Sequence, residues 1–234
     1  MLEIKCLASG SKGNSYFVDC DTPLLLDAGI PWKQIQQKSN FETSRLSGCL
    51  ITHSHMDHCK AVKDAVRSGV SCYMSAETAD AIGVKGHRIK LVRPLERFVV
   101  GLWTVLPFDT VHDAPGSLGF LAADRRGNKL VYLTDTAYCK YRFSGVTHFM
   151  VECNYSLDIL RENVASGVVT SELKNRLIKT HMGLDTTKGL LLANELDNVR
   201  EIWLLHMSEN NGDAGRFKRE VQELTGKMVV VAGE

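Results

Sequence analysis

The stretch "ITHSHMDHCK", residues 51–60, sets His53, His55, Asp57 and His58 on one short loop. The segment before it, "GCLIT", is apolar and reads as a strand. A strand that ends on three imidazoles and a carboxylate ends on groups that bind cations. Imidazole and carboxylate together suit zinc, manganese or iron.

The same event recurs along the chain. "FDTV" leads into His112, "KLVYLT" into Asp135 and "EIWLL" into His206. Strand ends at one sheet edge form a natural site, because the sheet holds them rigidly while loops reach a ligand. On a tight loop His53 and His55 can face one cation while Asp57 and His58 face another. One metal then takes His53, His55 and His112, and the second takes Asp57, His58 and His206. The two oxygens of Asp135 suit a bridge between them. Such pairs sit ~3.5–4 Å apart and share a hydroxide whose pKa falls towards ~7. Asp57 is therefore expected both as a ligand and as a catalytic residue.

The flanking pattern predicts an α/β fold. Short apolar or alternating segments closed by Gly, Ser, Asp or Pro read as strands: "LEIKCLA", "SYFVDC", "PLLLDAG" and "GCLITH" early, and "WTVLPFD", "GFLAAD", "KLVYLTD" later. "MDHCKAVKDAVRSG" has spacing near 3.6 and reads as one helix ending at Gly69. "RRGN", 125–128, reads as a hairpin turn with Gly127 and Asn128 at positive φ. Strands "THFMVECN", "EIWLLH" and "KMVVVAG" then alternate with helices "SELKNRLIKTH", "TKGLLLANEL" and "AGRFKREVQELTG". Each half is strand-rich, then helical. Two sheets packed face to face with helices outside satisfy that order.

The chain has 234 residues, enough for one domain, 1–234, with a sizeable core. No apolar run approaches the ~20 residues of a membrane span, and no signal peptide is visible at "MLEIKCLASG". The seven cysteines are scattered without a C-x-x-C pair, which predicts free thiols and a cytoplasmic setting. A net charge of +1 excludes a whole-protein field that attracts nucleic acid, but leaves room for a local basic patch.

In order and type, H-x-H-x-D-H followed by a His, an Asp at a strand end and a final His resembles the metallo-β-lactamase superfamily. No cysteine stands where the β-lactamases carry a ligand, which points to the hydrolase and phosphodiesterase branches. "LASGSKGNSYFV", "LLLDAG", "LSGCLITHSHMDH", "VHDAPGSLGF", "KLVYLTDTAY", "ECNY" and "WLLHMSENN" together resemble the YycJ/WalJ family across nearly the whole chain. The resemblance implies a four-layer αββα sandwich, two divalent metal ions per chain (zinc or manganese, with iron also suitable) and DNA exonuclease activity. Related phosphodiesterases, ribonuclease Z and PhnP, have an extra histidine upstream of the final ligand. His181 in "IKTHMGLDT" matches it by order and distance, which implies a general acid for the leaving oxygen.

Other residues take supporting roles. Asp27, at the end of "LLLDAG", and Glu152, at the end of "FMVE", read as carboxylates behind the ligands that orient them. "GSKGN", 10–14, could lend backbone N–H groups to a phosphate, with Lys12 and Asn14 as substrate contacts. Lys140 and Arg142 are further phosphate candidates. His87, His148 and Cys59 read as ordinary structural residues. The expected partner is nucleic acid, DNA before RNA. The alternative is a small phosphodiester such as a cyclic nucleotide, or another small-molecule metallo-hydrolase substrate. The sequence leaves the oligomeric state open.

Overall fold

The computed structural model describes residues 2–233. Its strands fall into two sheets flanked by helices, so the expected α/β class holds. The chain divides into two compact units. Unit 1 runs up to Asp109 and includes Ala114–Asn128 and Gly233; unit 2 comprises Thr110–Asp113 and Lys129–Ala232.

Unit 1 carries a six-stranded sheet in sequence order: β1 (Glu3–Ala8), β2 (Ser15–Asp19), β3 (Leu24–Leu26), β4 (Gly48–Leu50), β5 (Cys72–Met74) and β6 (Ile89–Leu91). The first three strands pair antiparallel and β3 to β6 pair parallel. Parallel pairing requires crossovers, and α1 (Trp32–Lys38), α2 (Met56–Cys59), α3 (Val62–Arg67) and α4 (Ala76–Ala81) lie within them. "LLL" and "GCL" are wholly buried, as central parallel strands must be. Phe17, Leu25, Ile51, Val62 and Ala65 pack in one core cluster beneath the helices. Three further strands, β7 (Phe98–Val100), β8 (Trp103–Asp109) and β9 (Leu118–Ala123), form an antiparallel meander.

Two local expectations are corrected. The helix expected over 56–69 is two pieces, α2 and α3. The carbonyl of Asp57 accepts from Asn14 N–H (2.7 Å), so Ala61 N–H turns instead to the Ala28 carbonyl (2.8 Å). The i→i−4 ladder therefore breaks where the ligand loop is pinned to its neighbours. In the 125–128 turn Gly127 has φ +81°, but Asn128 does not adopt positive φ. The Asp124 carboxylate closes that turn instead, accepting from Arg126 N–H and Asn128 N–H.

Unit 2 holds four parallel strands in order: β10 (Lys129–Leu133), β11 (His148–Glu152), β12 (Glu201–Leu205) and β13 (Met228–Val231). The helices are α5 (Leu157–Ala165), α6 (Ser171–Thr180), α7 (Leu184–Leu192) and α8 (Ala214–Thr225). β11 is buried along its whole length. Because Val151 pairs with Leu133 and with Leu204, the C-terminal ends of three strands meet at one edge. Ligands of open parallel sheets gather at that edge. Helices α1 and α5 and the short strand β6 carry no clear signal in the sequence. None of the described helices is long and apolar enough to cross a membrane.

Candidate metal centre

In unit 1 the ligand loop leaves the sheet beside Asp27, since Leu26 and Leu50 are register partners. Asp27 adopts φ +56° and is fully buried. A carboxylate there is tolerable only when its oxygens are saturated with donors. They accept from Thr52 N–H (2.8 Å), from the Thr52 hydroxyl (2.9 Å) and from His58 Nδ1 (2.7 Å). A His58 that donates through Nδ1 presents Nε2 as its ligand atom. The Thr52 hydroxyl also lies 3.0 Å from His53 Nδ1. The His53 ring centroid is 4.7 Å from that of His55 and 4.2 Å from that of His58. Asp57 Oδ2 lies 3.4 Å from His58 Nε2. Thus all four expected ligands of this unit are together.

Asn14 locks this loop. It is fully buried, and its amide nitrogen lies 3.0 Å from His58 Nε2 and 3.4 Å from Asp57 Oδ2. Gly13 N–H and Gly10 N–H are bonded to the Gly10 carbonyl and to Asn14 Oδ1. Of the backbone donors expected to await a phosphate, those of Gly10, Gly13 and Asn14 are engaged within the protein, and Asn14 braces ligands; Lys12 is exposed. Gly29 is required by this packing, since a Cβ there would lie 1.6 Å from the Asp57 carbonyl oxygen.

Unit 2 gathers its groups around Glu152, which ends β11 and is fully buried. Oε2 accepts from Thr136 N–H (2.9 Å) and Met182 N–H (3.1 Å). Oε1 lies 2.7 Å from His181 Nδ1 and 3.3 Å from His206 Nδ1. Burial raises the Glu152 pKa, but the His181 charge and the imidazole hydrogen bonds outweigh it, and the net shift is downward. Burial likewise opposes protonation of His181, yet its Glu152 partner prevails and the net shift is upward. Asp135 and His206 both sit just past strand ends at positive φ, +48° and +51°. Asp135 Oδ1 is 3.4 Å from His206 Nδ1, and Oδ2 is 3.7 Å from His112 Nε2. His112 directs Nδ1 to the Thr180 carbonyl (3.0 Å), which leaves Nε2 as the ligand atom. Burial lowers the His112 pKa, with Asp135 opposing, and the neutral ring is the form that coordinates metal.

Ligand atoms of Asp135, Glu152, His181 and His206 all lie within 4.8 Å of one another. Imidazole and carboxylate are ligand types for a divalent cation, and the Glu152 oxygens in this group are already engaged by Thr136, Met182, His181 and His206. Glu152 and His181 are thereby closer to the ligand set than their expected roles required. Thr52, Asn154 and Thr180 were missed. Asn154, whose amide nitrogen is 3.2 Å from His206 Nδ1, stood in the quoted "ECNY"; Thr52 precedes the first histidine. His148 lies at the opposite end of β11 from Glu152 and is buried, His87 is exposed, and burial raises the Cys59 thiol to about 11, as suits structural residues.

This architecture has known relatives. The family model for the beta-lactamase superfamily domain matches residues 22–207, and the chain belongs to that family. It is a metal-dependent hydrolase. It is 28% identical to exodeoxyribonuclease YycJ of Bacillus anthracis in an alignment 253 positions long, gaps included, covering 100% of this chain and 92% of that one. It is also 28% identical to exodeoxyribonuclease WalJ of Streptococcus pneumoniae strain D39, covering 88% of this chain and 81% of the relative. The fold matches the metallo-β-lactamase fold protein YhfI of Bacillus subtilis with a TM-score of 0.73 at 15% identity, over 99% of this chain and 96% of that one.

Proposed function

We propose that this protein is an exonuclease acting on DNA through two divalent cations, zinc or manganese. The observation that carries this reading is the similarity to two exodeoxyribonucleases, extending in one case over the whole chain. The ligand order supports it: His53, His55 and His112 for one cation, Asp57, His58 and His206 for the other, and Asp135 for both. When bound, such a pair supplies charge neutralisation at the phosphodiester and an acidified water as nucleophile. The chain's own residues hold the rings in their coordinating tautomers, through Asp27 for His58 and the Thr180 carbonyl for His112. His181 is the candidate proton donor to the leaving oxygen, and Glu152 beside it shifts its pKa upward against the opposing effect of burial. Free cysteines throughout accord with a cytoplasmic setting.

The test compares linear DNA with the same DNA as a covalently closed circle, with manganese or zinc and with chelator. Loss of the linear form alone, abolished by chelation, is expected. Equal loss of both forms overturns the exonuclease reading. Inertness on polymers with turnover of a cyclic nucleotide transfers the activity to small phosphodiesters.

A further inference from the structure

Unit 2 has a second recess, between the loop 136–144 that follows Asp135 and helix α7, which begins three residues after His181. It is a cleft of about 450 Å³ lined by Tyr138, Lys140, Tyr141, Arg142, Thr186 and Gly189, among others. Among the described residues no carboxylate lines it, while two cationic side chains do. Tyr138 is 58% exposed although the backbone around it is fixed. Its carbonyl accepts from the Thr136 hydroxyl (2.8 Å), and Ala137 N–H is bonded to the Val111 carbonyl (3.0 Å). Farther along, the N–H of buried Phe143 donates to Asn194 Oδ1 (2.6 Å), two residues past the end of α7. An exposed ring on a held backbone is a preorganised platform that costs little entropy to use. The Lys140 ammonium lies 5.1 Å from the Tyr141 ring centroid, so charge and aromatic faces alternate along the rim.

Gly189 adds a second, independent observation. It sits inside α7, where glycine costs helix stability relative to alanine. Nothing lies within 4 Å of the Cβ an alanine would carry, so packing does not require the glycine. A bare helix wall facing a cleft suits the close approach of a ligand.

We infer that this cleft binds the single-stranded end of a polynucleotide, with a base stacked on Tyr138, phosphates drawn by Lys140 and Arg142, and Gly189 leaving room against α7. Stacking on aromatic faces beside cations is how single strands are held without sequence preference. The inference rests on the nuclease reading for its ligand class, and the test separates the two.

The probe is a short fluorescent oligothymidylate with phosphorothioate linkages, which resists cleavage, titrated against the full chain by anisotropy. Tyr138→Ala should weaken binding on the order of 5- to 150-fold, the usual worth of one stacked base. Tyr138→Trp should restore it. Gly189→Leu should weaken binding, while Gly189→Ala should leave the melting temperature equal or higher. Arg142→Ala should flatten the salt dependence by about 0.7 in the log–log slope. Binding by Tyr138→Ala equal to wild type, or a Tyr138→Trp variant as weak as Tyr138→Ala, overturns the cleft. Equal dependence of a blunt duplex on Tyr138 overturns the single-strand assignment. Cleavage of linear DNA by wild type is scored separately. Tyr138-dependent binding without any cleavage sinks the nuclease reading and leaves the cleft; cleavage with Tyr138-independent binding does the reverse.

Discussion

The two units assemble similar chemistry over very different ranges of sequence. Unit 1 collects His53, His55, Asp57 and His58 on one loop and braces them with Asp27, Thr52 and Asn14. Unit 2 collects Asp135, Glu152, His181 and His206 from the ends of β10, β11, α6 and β12. The first arrangement closes a short loop; the second forms only when three parallel strands are in register. A slip of one residue in β11 would turn Glu152 to the other face and leave four donors without their acceptor. A compact motif therefore announces a site, but the dispersed half depends on the fold for its existence.

The largest effect expected is loss of a ligand from either half. Asp57→Ala and His206→Ala should each lose bound metal and hydrolase activity together, read by elemental analysis and by turnover. The two variants should differ in stability. His206 is held at φ +51°, a region that costs of order 1–3 kcal/mol for a side-chain-bearing residue, and alanine suits it less than histidine does. Asp57 lies in a helical turn that alanine accepts. His206→Ala should thus melt lower than Asp57→Ala. His87→Ala and His148→Ala should keep metal and activity. Metal loss in His148→Ala with retention in His206→Ala would break the comparison between halves.

The next effect isolates His181. Its Nδ1 faces Glu152 at 2.7 Å, and that carboxylate raises the imidazole pKa although burial works against it. As proton donor it should contribute ~10²–10⁴-fold to turnover of DNA. His181→Ala should keep its metals yet lose that factor. A p-nitrophenyl phosphodiester, whose leaving group departs without a proton, should suffer much less. Equal loss on both substrates would make His181 a phosphate contact, and loss of metal would place it among the ligands, where its distance to Asp135 and His206 also allows it to stand.

Legibility in the sequence follows the same division. The loop at 53–58, the strand ends at Asp135 and His206, and the α/β class were readable because each has a local signature. Strand-end position alone suggests Asp27 and Glu152 as carboxylates behind the ligands; each is buried and lies 2.7 Å from an imidazole nitrogen, of His58 and His181 respectively. The Gly-rich turn at 10–14 resembles a phosphate cradle, which suggests Asn14 as a substrate contact. Besides Gly10 in the same turn, the Asn14 amide lies beside His58 and Asp57, 44 and 43 residues away, and no local pattern encodes those contacts. The break between α2 and α3 has the same origin, since the Asp57 carbonyl is claimed by Asn14 from another part of the chain. Positive φ at Asp27, Asp135 and His206 was also hidden, because the residue types permit that conformation without demanding it.

The smallest effect expected tests how unit 2 keeps its distant pieces in place. The segments following Glu152 and His206 are tied to each other. Ser156 N–H bonds to the Asn211 carbonyl (3.0 Å) and Ser208 N–H to the Asn154 carbonyl (2.9 Å). Outside them, Arg216 on α8 pairs with Asp158 on α5. The Asp158 carboxyl is held down at about 2, with the nearby Ser156 side chain and the Arg216 guanidinium as the largest influences. Since its folded pKa lies below the ordinary value, the pair stabilises the fold above about pH 4 and loses that contribution as pH falls towards 2. The pair is largely exposed, so Asp158→Asn should cost no more than ~1 kcal/mol at neutral pH and less at high salt. Denaturant midpoints of wild type and variant should differ at pH 7 and converge as pH falls below 4. Hydrogen exchange at Ser156 and Ser208 should quicken in the variant, while amides of the 53–58 loop in unit 1 stay unchanged. Equal acceleration in both units would mean that the clip serves global stability and that the two halves are not held independently.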